Sequence, residues 1–486
     1  MTRAVDLLLI NPGNRLEQFA GLSPLATVAQ PLGIALMAAW VRERGVSVAV
    51  IDAEALELTP EQTVDLAIAE YDPLFVGLSA FTTKMTAAGA VLGEVKRRMP
   101  GVLTLAGGHH PSAIPEQTLR EEAADFVIKG EGFAPVTELV KRYKRKIRIA
   151  ADIRGVWYLN RDGFAHDGGQ APGVNSLDEL PMAAWDLLPM DRYRAHHWQM
   201  WNRWDQDMSR FALMYTSLGC PFSCNYCSVN VVYEKRKIRY RTPALVVDEF
   251  EHLIKEYGIQ HFEIIDDTFT VNRHHVEALC DEIVRRGLGE KINAWCFSRV
   301  DRADPRFLSK MKRAGINWVF MGLESGNDTV LLGVSKGQTV ADIRVAVDTV
   351  QAAGIHVGGN FVFGLPEDTH ESMQSTLDLA KELNTEYANF FIMMAYPGAE
   401  MREAVVCSGA ELPKKWSQYG FFAPDSLPLA NATISSRQIL TFRDNAFREY
   451  FGSERYQSMI AEKFGVETLT FLREQVLSKR IERISV

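Results

Sequence analysis

Residues 218–228 read Leu-Gly-Cys-Pro-Phe-Ser-Cys-Asn-Tyr-Cys-Ser. Cys220, Cys224 and Cys227 are half of the six cysteines in the chain, set in a CxxxCxxC pattern. Thiolate sulfur is the soft donor that iron–sulfur clusters require, so three thiolates on one short loop suit three irons of a cubane. No fourth cysteine lies nearby. One iron would stay open to bind something else, which makes such a site catalytic rather than only electron-carrying. Zinc would ordinarily take four ligands in paired sets, and the nearest histidine, His252, falls on a predicted helix. A disulfide does not suit the reducing compartment implied by few cysteines and no secretory signal.

The pattern, with Tyr226 directly before the last cysteine, resembles the signature of the radical S-adenosylmethionine (SAM) enzymes. The resemblance implies a 4Fe-4S cluster whose open iron chelates the amino and carboxylate groups of SAM.

The chain around this loop has 486 residues, enough for two or three domains. Hydrophobic residues make up 47% and charged residues 23%, the balance of an ordinary globular protein. A net charge of −8 offers no general attraction to nucleic acid or an anionic membrane. The N-terminus has no signal-peptide form and no apolar run is long enough to span a membrane, so the expected location is the cytoplasm. Cys280 and Cys296 read most simply as core residues. The role of Cys407 is open.

Over residues 1–145, strand-like runs at 7–10, 48–51, 74–78, 103–106 and 126–128 alternate with helical patterns, clearest over 84–99. That alternation predicts a Rossmann-like, doubly wound parallel sheet, with ligand beyond the carboxyl ends of the strands. Those ends carry Asn11-Pro12-Gly13, Ser79-Ala80-Phe81-Thr82-Thr83, Gly107-Gly108-His109-His110-Pro111 and Gly130-Glu131-Gly132. No GxGxxG follows the first strand, which argues against dinucleotide binding. With Pro31-Leu32-Gly33, these pieces resemble the cobalamin-binding domain that precedes many radical SAM proteins. The resemblance implies cobalamin contacts from Asn11, Pro12, Gly33, Ser79, Phe81, Thr82, Thr83, Gly107, Gly108, His109, His110, Gly130, Glu131 and Gly132. The DxHxxG motif of cobalamin mutases is absent, so no protein histidine is expected to replace the nucleotide tail. Thr82 or Thr83 is then expected near the lower face of the corrin. His109 and His110 read more readily as groups bonding a ligand's edge than as cobalt ligands. The plain alternative is a Rossmann-like fold without a cofactor.

Residues 146–210 read as a connector. It holds a hairpin at Val156–Leu159 turned by Asn160-Arg161-Asp162-Gly163, then an aromatic stretch with Trp185, Tyr193, Trp198, Trp201 and Trp204 suited to packing between domains. Residues 211–400 repeat strand then helix about six times, fewer than the eight units of a full barrel. Strands are expected at 213–217, 261–265, 294–298, 318–322, 357–363 and 389–394, which matches the partial (β/α)6 barrel of radical SAM enzymes. In that family the positions after successive strands contact SAM, which here implicates Tyr226, Asp266, Asp267, Ser298, Arg299, Glu324, Asn360 and Phe361. Arg299 is a fixed cationic fork suited to a carboxylate. The basic run Lys235-Arg236-Lys237 with Arg239 and Arg241 reads as a solvated loop or as a face toward anionic groups. Residues 401–486 are mainly helical and expected to close the barrel's open side. Trp416, Tyr419, Phe421 and Phe422 suit a substrate pocket or core packing equally.

The resemblance implies reductive cleavage of SAM to a deoxyadenosyl radical, hydrogen abstraction from an unactivated carbon, and methyl transfer from methylcobalamin: a cobalamin-dependent radical SAM methyltransferase. It also implies a small-molecule or lipid substrate and an electron donor such as flavodoxin or ferredoxin. A cyclase or rearrangement enzyme on the same cofactors is the first alternative. A non-catalytic iron–sulfur or corrinoid-binding protein is the second. Residues 1–145 contain no cysteine, which disfavours a methylthiotransferase.

Overall fold

The computed structural model describes residues 2–196, 210–233 and 236–484. Trp198, Trp201, Trp204 and Lys235 lie outside them.

Five parallel strands, β1 (Arg3–Asn11), β2 (Val48–Asp52), β3 (Tyr71–Ser79), β4 (Leu103–Gly107) and β5 (Phe126–Ile128), form the first sheet in the order β2-β1-β3-β4-β5. Their near-continuous apolar runs follow from burial on both faces. Leu7 and Leu9 meet Ala35, Leu36 and Val136 on one side. Leu8 and Ile10 meet Val64, Val91 and Val95 on the other. The expected helix over 84–99 is present as Met85–Arg98, after a short turn at Thr82–Lys84.

The connector hairpin forms as β6 (Val156–Leu159) and β7 (Ala165–His166). Asn160 Oδ1 accepts from the backbone of Asp162 and Phe164 to close its turn. Because β6 pairs antiparallel with β5, the hairpin extends the first sheet. Two of the connector's aromatics, Trp185 and Tyr193, reach the elements on either side. Trp185 donates to Glu249 on helix Pro243–Tyr257 (2.9 Å), and the Tyr193 hydroxyl donates to Asp52 at the end of β2 (2.7 Å).

β8 (Phe211–Met214) leads into a two-stranded ribbon of β9 (Ser217–Leu218) and β10 (Arg239–Tyr240), which brackets the cysteine loop. Then β11 (His261–Ile264), β12 (Asn293–Ser298), β13 (Ile316–Glu324), β14 (His356–Phe363) and β15 (Tyr387–Ile392) complete an all-parallel six-stranded sheet in the order β15-β14-β13-β12-β11-β8. Strands β8 and β15 do not pair, so the barrel is open.

The tail covers the β15 edge with helices Ser436–Gly452 and Glu454–Phe464. Backbone carbonyls of Thr385, Glu386 and Phe390 accept from Tyr450, Tyr456 and Arg443, which blunts an edge that would otherwise offer unpaired groups. Glu386 is buried and receives Lys463 Nζ (2.5 Å) and the Val357 N–H (2.9 Å). Burial raises its pKa, but His356 and Lys463 outweigh that and hold it at about 2. Its folded pKa lies below the unfolded value, so the stabilisation is present above about pH 4.5 and is lost as pH falls toward 2; two to three units correspond to roughly 3 kcal/mol. Glu386→Gln is expected to lower stability at pH 7 by roughly 2–3 kcal/mol, with the difference from wild type shrinking below pH 4. Denaturant unfolding across that range checks both the size and the sign.

Candidate active site

The cysteine loop leaves the barrel at the top of β8, where Asp266 holds it. The buried Asp266 carboxylate accepts from the Thr216 N–H, the Thr216 hydroxyl and the Ser217 hydroxyl, each at 2.6 Å. Asp267 accepts from the Gly219 N–H (3.1 Å) and the Tyr233 hydroxyl (3.4 Å), and burial pushes its pKa up to about 6. Gly219 has φ +100, and a Cβ there would lie 2.3 Å from the Lys237 carbonyl oxygen. Only glycine fits this close crossing of the two ribbon strands.

Cys220, Cys224 and Cys227 line one cavity of about 400 Å³ with Phe222, Asn230 and Tyr233. All three are free thiols. Further bonds pin the loop: Asn225 to the Gly333 carbonyl (3.0 Å) and the Met401 N–H to the Asn225 carbonyl (2.9 Å). No three ligating side chains among the described residues converge on a single point. Three thiols around one cavity suit a cluster that gives each thiolate its own iron.

The strand ends complete the rim. Glu324 sits at a register shift between β13 and β14 with φ +63, a backbone state rarely held outside functional or tightly constrained positions. Its buried carboxylate pairs with Lys336, and it accepts from Tyr226 of the cysteine loop, whose pKa is raised by burial and by that neighbour. Arg299 lies with its guanidinium 4.0 Å from the Phe222 ring centroid and donates to the Lys336 carbonyl (2.5 Å). Ser298 bonds Thr270 (2.6 Å), and Asn360 accepts from Asn389 (2.9 Å). Tyr226, Glu324, Lys336 and Arg299 are thus linked in one chain of contacts that reaches Phe222 of the cysteine loop. Two expectations change. Asp266 has both oxygens engaged by the base of the loop, so it acts there as a clamp. Phe361 is fully buried and stacks on Phe390 (5.6 Å), because alternation along β14 turns it toward the helical layer while Asn360 faces inward.

Lys336 and Gln338 are rim residues that sequence reasoning missed. Both lie between a short helix and the next, with no strand-end position to mark them. Gln338 donates to the Gly322 and Leu323 carbonyls (3.1 Å each), and its own Oε1 is buried without a partner. Together with the unpartnered Asn225 Oδ1, it leaves polar capacity for a polar ligand.

The predicted cobalamin loops converge at the carboxyl edge of the first sheet. Asn11 bonds Asp52 (2.7 Å), and Lys84 reaches both Asn11 (3.1 Å) and the Pro12 carbonyl (3.3 Å). Gly33 has open space where a Cβ would stand. Gly108 has φ +97 and a Cβ would meet Ser79 Oγ at 2.7 Å, so Gly107-Gly108 can pass close to the Ser79 turn. Phe81 is 59% exposed and stacks on His109 (4.8 Å). The Thr82 hydroxyl meets His110 Nδ1 (3.2 Å), and the Thr83 carbonyl accepts from Asn14 (2.7 Å). Burial pushes His109 down to about 4 and His110 to about 3, so both are neutral at pH 7. Gly130, with φ +101, opens the turn whose Gly132 packs by Met37. Glu131 pairs with Arg239 of β10 and accepts from the Val174 N–H (3.0 Å). This turn is therefore tied to the cysteine ribbon, and two members of the basic run are not solvated: Arg241 is buried against Glu249 (2.7 Å).

The two halves meet directly. The turn His109–Ala113 packs on Val229–Val232 after the last cysteine, and a Cβ on Gly398 would touch both Val231 (2.8 Å) and Ala113 (3.2 Å). The tail seals the seam. Trp416 packs on His110 (4.4 Å), Phe421 on Phe391 (5.1 Å) and Phe422 on Phe19 (5.4 Å).

Family models agree with this division. Residues 214–380 match the radical SAM superfamily and residues 21–140 the B12 binding domain. An uncharacterized methyltransferase of Pyrococcus horikoshii, PH0819, is 33% identical over 401 residues, covering 82% of this chain and 83% of that protein. The chain belongs to the cobalamin-binding radical SAM enzymes. An anaerobic magnesium-protoporphyrin IX monomethyl ester cyclase of Cereibacter sphaeroides is 26% identical over 79% of this chain, which spans 60% of that relative's length. Among solved structures, the radical SAM methyltransferase TsrM of Kitasatospora setae, with tryptophan and a SAM analog bound, superposes with TM-score 0.68 at 19% identity, over 93% of this chain and 89% of that one. The cobalamin-dependent radical SAM enzyme OxsB gives 0.64 at 18% identity, over 84% and 56%. At such identities these structures establish the shared fold. The family's cofactors are a 4Fe-4S cluster, SAM and cobalamin, and the donor sets described above fit them. No helix among the described residues is long and apolar enough to cross a membrane.

Lys336→Met leaves Glu324 buried without its cation, at an expected cost of about 3 kcal/mol. The double variant Lys336→Met/Glu324→Gln is expected to recover part of that loss. Denaturant unfolding of the four proteins of this cycle measures the coupling.

Proposed function

We propose that the protein is a methyltransferase that delivers a methyl group to a carbon of a small-molecule substrate. The observation that carries this reading is the direct apposition of the cysteine loop and the corrin loops at His109–Ala113 and Val229–Val232, supported by the methyltransferase name of the 33%-identical relative. When bound, the cluster with SAM supplies a deoxyadenosyl radical and the corrin supplies a transferable methyl group. The chain's own task is placement and exclusion of water. Cys220, Cys224 and Cys227 hold the cluster. Tyr226, Asp267, Ser298, Arg299, Glu324 and Asn360 are the groups proposed to contact SAM, with Lys336 paired to the buried Glu324 side chain and Arg299 offering its fork to a carboxylate. Asn11, Pro12, Gly33, Ser79, Phe81, Thr82, Thr83, Gly107, Gly108, His109, His110, Gly130 and Gly132 border the corrin, and Glu131 anchors their edge to β10. Neutral histidines add no charge beside it. Trp416 closes the seam against solvent.

A ring-forming reaction on the same cofactors is the second reading, favoured by the cyclase relatives that share about four-fifths of this chain.

Anaerobically reconstituted protein, supplied with hydroxocobalamin, a strong reductant and SAM carrying a deuterated methyl, separates them. The expected result is retained corrin absorbance, S-adenosylhomocysteine as a product, and the deuterated methyl recovered in the corrin fraction. Deoxyadenosine without any S-adenosylhomocysteine would favour ring formation. Retention of cluster absorbance and deoxyadenosine formation by the triple Cys220→Ala/Cys224→Ala/Cys227→Ala variant would remove the assigned cluster site.

A further inference from the structure

Asp266, Asp267 and Thr268 follow β11 in succession, and each meets a successive part of the cysteine loop. Asp266 takes the donors of Thr216 and Ser217, and Asp267 takes the Gly219 N–H. Thr268 comes next in the one series and Cys220 in the other. The Thr268 hydroxyl oxygen lies 3.7 Å from the Cys220 sulfur, within hydrogen-bonding reach of so large an atom. Both residues are buried, at 5% and 9% exposure. The aspartates hold the loop by its backbone and hydroxyls. Thr268 alone of the three reaches a sulfur.

The three sulfurs are not alike. Cys227 is exposed and accepts from the Val229 N–H, Cys224 is half-buried, and Cys220 is buried. Water reaches Cys227 and can solvate charge there. At Cys220 that part falls to the protein, and the Thr268 hydroxyl is the donor at hand.

While Cys220 is a free thiol, the Thr268 hydroxyl donates to the Asp267 carbonyl (2.7 Å). A cysteine bound to iron has lost its proton and can only accept. Hydrogen bonds to a charged acceptor are roughly twice as strong as those to a neutral one, so the thiolate draws the hydroxyl proton toward itself. When a cluster takes up one electron, part of the added negative charge falls on its sulfurs. A donor aimed at a ligand sulfur stabilises that reduced form more than the oxidised one and raises the reduction potential. Exclusion of water from Cys220 strengthens the effect.

We propose that the Thr268 hydroxyl donates to the Cys220 thiolate of the bound cluster and makes that cluster easier to reduce. No bond is made or broken in the step: one electron enters from a one-electron donor, and the hydroxyl stabilises the charge it adds. Thr268 is a positioning residue that acts through Cys220. The inference rests on the reading of Cys220, Cys224 and Cys227 as the cluster's ligands.

Wild type, Thr268→Val and Thr268→Ser, each reconstituted anaerobically, are titrated electrochemically with viologen mediators while EPR follows the reduced cluster. Valine keeps the shape and loses the hydroxyl; serine keeps the hydroxyl. Thr268→Val is expected to lower the equilibrium constant for one-electron reduction roughly tenfold, a midpoint about 59 mV more negative. Thr268→Ser is expected to stay within about twofold of wild type in that constant. An unchanged or raised midpoint in Thr268→Val, or a Thr268→Ser midpoint as low as that of Thr268→Val, would overturn the proposal. A hydroxyl that only caps the Asp267 carbonyl would alter stability and leave the midpoint where it was. Should Thr268→Val hold no cluster, the wild type decides. After exchange into D2O, its reduced cluster is expected to show coupling to a hydroxyl deuteron in double-resonance spectra, and coupling to amide deuterons alone would sink the idea. Failure of the underlying reading is seen separately, as wild-type protein that assembles no cluster.

Discussion

The Asp266 carboxylate, buried at the top of β11 and holding three donors of residues 216–217 at 2.6 Å, sets where the cysteine loop departs from the barrel. A loop that must present three thiols to one cavity cannot be left to its own conformational entropy. Asp267 adds a grip on Gly219, the β9–β10 ribbon closes the base, and Asn225 binds the far side through Gly333 and Met401. A charged acceptor with several donors is among the stronger hydrogen-bonding arrangements a protein interior offers. Two adjacent aspartates thus hold the loop while the cysteines remain free for the metal.

The same ribbon carries the link between domains. Arg239 on β10 pairs with Glu131 in the first domain's Gly-Glu-Gly turn, and Arg241, two residues on, is buried with Glu249 on the first barrel helix. Breaking either would leave an uncompensated charge away from water. The Gly130–Gly132 turn, the cysteine loop and the barrel are therefore tied together, and the aromatic residues of 416–422 pack along the seam.

Helix and strand boundaries were legible to within a few residues where period and punctuation agreed. The helix over 84–99, present as Met85–Arg98, is one example, and the 126–128 strand is another. The strand-end positions of Asp267, Arg299, Glu324 and Asn360 were legible because the carboxyl ends of the strands of a parallel barrel lie on one face. Phe361 misled because adjacent residues on a strand face opposite ways, and the sequence there does not state which faces in. Lys336 and Gln338 were silent because their role depends on a loop folding back over β13. Glu131 looked like a cofactor contact when read within its own domain; its partner, Arg239, lies 108 residues away.

What the sequence by itself determined is the chemistry: three thiolates at a spacing one loop can present, and six strand–helix units whose ends converge. Both are local or periodic properties, which a linear chain carries in full. Only the tertiary structure decided which polar groups are spent on architecture and which remain available. Asp266 and Glu131 are consumed by partners far away in the chain and Arg241 by Glu249 on the helix that follows, while the three loop cysteines are left as free thiols. Burial and pairing are properties of packing, and packing is set by contacts between residues the sequence keeps apart.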